Sequence, residues 1–290
     1  MIEKAIILIA GVGTRFLPMS KAVPKELMPL VDKPMVQYLL EEAMNSGVKE
    51  AVFVISPGKK KEVVDYFKKS PKLEKMLKDK NKSELLERVE HLDEISKNIN
   101  FSFVIQKEPK GDGHAILQAR KLINEPCGVF FTDDIVDSKI PCLEQLSQIF
   151  KTSKKPMMAL KRIPADRISS YGVVRTEKIA SKVFKIKGVV EKPEPDKAPS
   201  DLAILGRYII TPEVFDYLKM QQPNKKGEII LAEAFESMIR DGKMVYGYEV
   251  EGQWIECGDI YRWLQSTVYF SLKHPKYGED LKKYIRGIIK

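Results

Sequence analysis

The apolar run Ala5-Ile6-Ile7-Leu8-Ile9 leads through Ala10 into G-V-G-T-R-F-L-P-M-S-K-A-V-P-K, Gly11 to Lys25. A hydrophobic run without alternation predicts a strand buried on both faces, over Lys4–Ile9. A loop leaving the carboxyl end of such a strand lies where open α/β sheets bind ligands. Gly11 and Gly13 let the backbone approach a bound group and turn N–H groups toward anionic oxygens. Arg15, Lys21 and Lys25 add fixed positive charge, so the segment points to a nucleoside triphosphate. A dinucleotide-binding G-x-G-x-x-G turn is disfavoured because Phe16 stands where its third glycine belongs, and a G-x-x-x-x-G-K-S/T phosphate loop is absent. The alternative is a tight turn whose basic residues face water; three cations punctuated by Pro18 and Pro24 favour phosphate binding over it.

Working outward, strand and helix patterns trade places. Helices are predicted near Met35–Ser46 and Lys59–Lys69, strands at Ala51–Ser56 and Phe101–Gln106, and a charged helical insertion from Pro71 to Lys97. A helix over Gly113–Leu122 and a strand over Gly128–Thr132 follow. This alternation implies an α/β fold whose Rossmann-like central sheet is mostly parallel and flanked by helices. Beyond Pro156 strands crowd together (Met157–Arg162, Gly172–Arg175, Val183–Val190, Ala203–Ile210), which predicts a mixed portion of sheet. Two terminal helices are expected, Tyr261–Leu272 and Asp280–Ile289. The expected organisation is one catalytic domain over residues 1–290: a nucleotide-binding half over about 1–155, a sugar-phosphate half over about 156–260, and C-terminal helices over about 261–290.

Composition bounds the function. A chain of 290 residues with 43% hydrophobic content can bury a substantial core. No apolar stretch reaches the roughly 18 residues of a membrane span, and no secretory leader is evident. Three scattered cysteines, Cys127, Cys142 and Cys257, have neither metal-site nor paired spacing, which suits a reducing cytoplasm. The net charge of +9 fits nucleic acid or small polyanionic substrates. Lysines between Lys59 and Lys82 alternate with acids and apolar residues, as on solvated helix faces, and aromatic interleaving is sparse. Nucleic-acid binding is therefore not expected.

Thr132-Asp133-Asp134 follows the apolar Gly128-Val129-Phe130-Phe131. Two carboxylates at a strand end are costly to bury unless their charge is offset. A divalent ion held with substrate phosphates is one solution and a helix or turn cap is another. The pair alone leaves both open.

The stretch A-G-V-G-T-R-F-L-P-M-S-K-A-V-P-K-E-L-M-P-L-V-D-K-P-M-V-Q-Y, Ala10 to Tyr38, closely resembles the bacterial UTP–glucose-1-phosphate uridylyltransferases. The resemblance continues through Q-K-E-P-K-G-D-G-H-A, T-D-D, Y-G-V-V, V-E-K-P, L-G-R-Y-I and G-E-I-I-L. Any one piece is weak; their co-occurrence in the family's order is highly specific. It implies the nucleotide-diphospho-sugar transferase fold, UTP and glucose 1-phosphate as substrates, UDP-glucose and pyrophosphate as products, Mg²⁺ as cofactor, and a homodimer or homotetramer.

Residue by residue, the resemblance implies that Gly11, Gly13, Thr14 and Arg15 hold the triphosphate. Lys25 and a Mg²⁺ ion on Asp133 neutralise the α-phosphate and the departing pyrophosphate. Uracil contacts fall on the Ala10 and Gly11 backbone, Glu26, Gln106 and Gly113, with a packing or binding role for His114. Glu191 accepts from sugar hydroxyls, Lys192 contacts the sugar phosphate, and Asp134, Gly172 and Arg207 complete that side. Glu191 and Lys192 taken alone read as a surface ion pair, and Gly172 as an ordinary strand start. Ile9 stands in place of a small residue, and Glu233 and Glu256 each replace an aspartate. Glu256 is the position of a second metal contact in related enzymes, here on an arm one methylene longer. Displacements near 1 Å cost about 100-fold in rate, and Asp259 is a neighbouring alternative. These exchanges motivate a competing expectation, a silent regulatory relative that binds UDP-glucose. A dTTP-using enzyme is the nearest catalytic competitor.

Overall fold

The computed structural model of the protein describes residues 1–289. The chain begins with β1 (Lys4–Ile9), three 3₁₀ turns (Thr14–Phe16, Met19–Lys21, Lys25–Leu27), β2 (Pro29–Leu30), β3 (Lys33–Pro34) and α1 (Met35–Asn45). Next come β4 (Glu50–Ile55), α2 (Lys60–Phe67), α3 (Pro71–Asp79), α4 (Ser83–Asn98) and β5 (Asn100–Ile105). These are followed by α5 (Asp112–Gln118), β6 (Cys127–Phe131), β7 (Asp134–Asp137), α6 (Cys142–Ser153) and β8 (Met157–Arg162). A 3₁₀ segment, Ala165–Ser170, precedes β9 (Gly172–Ala180), β10 (Val183–Glu191), β11 (Leu202–Ile210), α7 (Pro212–Met220) and α8 (Leu231–Arg240). β12 (Tyr246–Glu249), β13 (Gln253–Glu256), α9 (Ile260–Lys273) and α10 (Gly278–Ile288) complete the described chain.

A nine-stranded sheet in the order β5-β4-β1-β6-β11-β8-β12-β10-β9 organises these elements. β1 lies parallel between β4 and β6, with Ile6 opposite Val52 on one side and Val129 on the other. Its continuous hydrophobicity has a direct cause. Ile7 and Ile9 enter the core shared with α1 and α4, while Ile6 points to the opposite core, shared with α5, α7 and α8. Each such buried side chain stabilises the fold by roughly 1.5–3 kcal/mol. β11 then runs antiparallel to β6, with Tyr208 opposite Val129, and the mixed portion begins there. Outside this sheet, β7 and β13 form an antiparallel ladder that sets Asp134 opposite Glu256. The chain end of β13 is also fixed to the β6 corner, since the Cys257 amide donates to the Asp133 carbonyl at 2.7 Å.

The predicted insertion is two helices, α3 with Pro71 at its start and the longer α4. The sequence reading did not anticipate α6, α7, α8, β12 or the β7–β13 ladder. Cys142, Leu143, Leu146 and Phe150 carry a helical spacing that would have revealed α6. β7, Asp-Ile-Val-Asp, is too short and polar to be read as a strand.

Arg207 is not where the family resemblance implied. Its side chain is 0% exposed and cannot meet a sugar phosphate. Nε and Nη2 donate to the Glu42 carboxylate at 3.0–3.1 Å, Nη1 to the carbonyls of Phe131 and Gly206 at 3.0 Å, and Nη2 also to the Asp134 carbonyl at 2.7 Å. The register of β11 against β8 shifts between Leu205 and Tyr208, and this irregularity turns Arg207 inward. Gly206 is required there: a Cβ would fall 2.3 Å from Asp134 Oδ2 and 2.6 Å from Phe131 Cβ. Truncating Arg207 would strand a buried Glu42 charge, so Arg207→Ala is expected to lose about 3–5 kcal/mol of stability. Urea denaturation measures this; a loss under about 1 kcal/mol would refute the clamp.

Candidate active site

The loops at the carboxyl ends of β1, β5 and β6 surround a cleft of about 270 Å³, lined by Ala10, Gly11, Lys25, Glu26, Gln106, Gly111, Asp112 and Asp133 among others. Gly13 adopts φ 73°, and a Cβ there would lie 3.1 Å from Ser20 Cβ. The loop is braced from behind, because Ser20 Oγ donates to the Gly13 carbonyl at 2.7 Å and Ser56 Oγ to the Ala10 carbonyl at 2.6 Å. Lys59 Nζ donates to the Gly11 carbonyl at 3.0 Å. The sequence reading gave Lys59 to a solvated helix face. Its signal was the Ser-Pro-Gly turn that ends β4, the strand beside β1. Thr14 is exposed at the rim.

Glu26 is the most unusual group in this cleft. It is 1% exposed, and neither carboxylate oxygen has a hydrogen-bond partner. Burial pushes its pKa up to about 7, against the opposing charges of Lys25 and Lys59. A buried acceptor without a donor is costly unless a ligand supplies one. Gln106 is also buried, and its Nε2 is assigned to the Gly111 carbonyl at 3.0 Å and His114 Nδ1 at 2.9 Å. Both amide hydrogens are thereby used, which leaves the Gln106 carbonyl without a protein donor among the described residues. Burial and the neighbouring Lys110 lower the His114 pKa, so its ring stays neutral and able to accept. The Gly113 amide donates to the Ile229 carbonyl at 3.0 Å. A Cβ on Gly113 would sit 2.7 Å from Leu218 Cδ2, so its smallness serves helix packing.

A second, more polar cleft of about 380 Å³ adjoins the first and shares Asp133 with it. Arg15, Lys192, Arg262, Asp134, Tyr171 and Trp254 are among its walls. Lys25 forms an ion pair with Asp133. Burial lowers the Lys25 pKa, but Asp133 and Glu26 outweigh it and leave the pKa raised, so the ammonium persists. Asp134 accepts from Trp254 Nε1 at 2.6 Å and the Gly206 amide at 3.1 Å. Burial raises its pKa to about 6. Both Asp134 oxygens are thus committed within the protein, whereas the Asp133 side chain remains 34% exposed.

On the opposite wall Lys192 holds φ 46°, a strained value for a residue with a side chain, and its amide donates to the Tyr171 carbonyl at 3.0 Å. Lys192 and Glu191 are exposed and 3.2 Å apart. Gly172 lets Glu191 lie close, since a Cβ would approach its Oε2 to 3.1 Å. Glu256 is occupied by Arg167, Arg262 and the Tyr171 hydroxyl. A metal there would have to displace a guanidinium group. No cluster of three or more His, Cys, Asp or Glu able to hold a metal exists among the described residues. The donor set nevertheless fits an ion that takes one carboxylate, Asp133, and the rest of its oxygens from phosphate and water.

The nucleotidyl transferase family profile matches residues 4–268, and the chain belongs to that family. It is 39% identical over 288 residues to the UTP–glucose-1-phosphate uridylyltransferase of Staphylococcus epidermidis, spanning 99% of this chain and 98% of that protein. A uridylyltransferase of Staphylococcus saprophyticus is 39% identical over 290 residues, 100% of this chain and 99% of the relative. Among solved structures, a UTP-bound UDP-glucose pyrophosphorylase from Acinetobacter baumannii superposes with a TM-score of 0.89 at 30% identity, covering 100% of both chains. A UDP-glucose pyrophosphorylase complexed with UDP-glucose gives a TM-score of 0.84 at 35% identity, over 94% of this chain and 100% of that one. No described helix is long and apolar enough to cross a membrane.

The orphaned carboxylate has a pH consequence. Folding raises the Glu26 pKa from 4.5 to about 7, so the stabilisation that this proton brings is complete below pH 4.5 and is lost as pH rises through 7. Glu26→Gln is expected to raise the stability of the ligand-free protein by on the order of 2 kcal/mol at pH 8 and by almost nothing at pH 4.5. Thermal unfolding at both pH values checks this; equal effects at the two would rule out a buried, proton-holding Glu26.

Proposed function

We propose that the protein is a UTP–glucose-1-phosphate uridylyltransferase, transferring UMP from UTP to glucose 1-phosphate with Mg²⁺ and releasing UDP-glucose and pyrophosphate. The observation that carries this reading is the meeting of two clefts at a single carboxylate, Asp133. The uridylyltransferase relatives aligned over the whole chain support the same substrates. In the first cleft, the Gln106 carbonyl suits the N3–H of uracil and opposes the bare N3 of cytosine. Glu26 offers acceptors for the remaining donors of the nucleoside. Gly11, Gly13, Thr14 and Arg15 border the path of the triphosphate. Lys192 in the second cleft, with Glu191 and Gly172 beside it, suits a sugar phosphate.

The chemistry needs no general base. The nucleophile is a phosphate oxygen of glucose 1-phosphate, ionised near pH 7 because its second pKa is about 6. It attacks the α-phosphorus of UTP, and the bond to the bridging oxygen of the β-phosphate breaks in line as pyrophosphate departs with the electron pair. The barrier lies in bringing two polyanions together. Holding them in contact supplies about 7–11 kcal/mol, and aimed positive charge adds to that. Lys25 is placed for the α-phosphate and Lys192 for the attacking partner. A Mg²⁺ ion carried with the nucleotide would neutralise phosphate charge, with Asp133 as its protein ligand.

The same reading has the protein act in the cytoplasm as a homodimer or homotetramer. Exposed Tyr261, Leu264 and Val268 on α9 offer apolar surface for association. Purified protein with UTP, glucose 1-phosphate and Mg²⁺ is expected to release pyrophosphate, EDTA to stop it, and Asp133→Asn to lower kcat by at least about 100-fold. UTP is expected to exceed dTTP in kcat/KM. UDP-glucose binding without turnover would favour a silent relative and overturn the enzyme.

A further inference from the structure

Glu256 and Arg262 give the second cleft a feature that the reaction as derived leaves unused. Glu256 ends β13 with its side chain only 9% exposed. Two guanidinium groups converge on it, Arg167 from the Ala165–Ser170 segment and Arg262 from the first turn of α9. Oε1 meets Arg167 and the Tyr171 hydroxyl, and Oε2 meets Arg262. With Asp259 beside Arg262, two carboxylates balance the two guanidiniums. The two arginines differ in outlook. Both line a groove with Gln253 and Gln265, and Arg262 alone also borders the cleft that holds Arg15, Lys192 and Asp133.

Arg262 is immobilised from several sides. Nη1 contacts Glu256 and the Tyr171 hydroxyl, Nε lies 3.4 Å from Asp259, and the guanidinium sits 5.3 Å from the Tyr171 ring centre. Asp259 also caps α9 by accepting from the Arg262 amide at 2.9 Å, which fixes the backbone beneath the side chain. Nη2 makes no hydrogen bond to protein among the described residues. A guanidinium anchored along one edge and keeping a free donor, on a residue that borders a polar cleft, is ready to bind an anionic oxygen with little further loss of side-chain freedom.

We propose that Arg262 contacts the phosphoryl group of the sugar phosphate through Nη2, as a third cation beside Arg15 and Lys192, and that Glu256 is its positioning residue. The proposal rests on the uridylyltransferase reading and deepens it. A sugar phosphate is the ligand class that fits: its phosphate meets three cations, and exposed Glu191 beside Lys192 remains for hydroxyl groups. Glu256 thereby has a function that needs no metal, and the longer arm lets it reach Arg262 and Arg167 together.

Two readouts separate the outcomes. In steady-state kinetics, Arg262→Ala should raise KM for glucose 1-phosphate by about 10- to 100-fold, the loss expected for one charge-assisted contact, with KM for UTP within twofold. Arg262→Lys should recover part of the loss. By calorimetry, Arg262→Ala should weaken UDP-glucose by a similar factor and leave UMP unchanged. Glu256→Gln should raise KM for glucose 1-phosphate while Mn²⁺ affinity of the UTP complex, read by electron paramagnetic resonance, stays within twofold. An unchanged KM and unchanged UDP-glucose affinity in Arg262→Ala would overturn the contact. Lost Mn²⁺ affinity in Glu256→Gln would overturn the positioning role and make Glu256 a ligand. If Arg262→Ala fails to fold, Arg262→Lys and Arg262→Gln carry the same comparison. Absent turnover in the unsubstituted protein would fail the uridylyltransferase reading alone, because the UDP-glucose and UMP titrations still score Arg262.

Discussion

The buried pair between Arg207 and Glu42 is the constraint on which the rest of the site depends. Removing a guanidinium and a carboxylate from water is expensive, and their mutual attraction offsets this only when the other donors are also satisfied. Arg207 meets that condition, giving hydrogen bonds to Glu42 and to the carbonyls of Phe131, Gly206 and Asp134. Two of these carbonyls bracket Thr132 and Asp133. The carboxylate shared by both clefts is therefore placed by the hydrophobic interior, through a rigid corner tied to α1 and β11. Glu42 also accepts from the Leu143 amide at 3.2 Å, which draws the start of α6 into the same assembly.

Around that fixed corner, four cations each have an anionic companion: Lys25 with Asp133, Lys192 with Glu191, and Arg262 and Arg167 with Glu256. Such pairing keeps the ligand-free clefts from accumulating uncompensated charge. It also means that a phosphate competes with a carboxylate for each cation. The exchange is easiest where the pair is exposed, as at Lys192, and where one donor remains spare, as at Arg262. Glu26 is the reverse case, an acid held without a donor in a cleft shaped for a ligand.

Much of the fold was legible because buried strands announce themselves. Lys4–Ile9 and Met157–Arg162 carry the apolar runs Ala5–Ile9 and Met157–Leu160, and the strands observed there match in extent. The glycine loop was legible because Gly13 needs a backbone conformation that few other residues adopt. What escaped the sequence was governed by partners distant along the chain. Arg207 reads as a substrate contact only through the family resemblance, and only the three-dimensional structure brings Glu42 to it. Glu256 reads as a doubtful metal ligand because it replaces the aspartate of a motif in related enzymes, while Arg167, its partner, lies 89 residues away. Gly113 reads as a backbone contact, yet the Ile229 carbonyl arrives from a loop more than a hundred residues downstream.

The irregularity in β11 has a consequence for how this family can drift. Gly206 and Arg207 form one heritable unit, because the side chain of the second enters the interior only while the first lacks one. Replacing Gly206 by alanine would drive a methyl group into Asp134 and Phe131. Losing the irregularity would remove the inward turn of Arg207 and leave Glu42 stranded. Substitutions here would be admitted only as a coordinated set, so this dipeptide should change more slowly across descendants than the exposed lysines of α2 and α3.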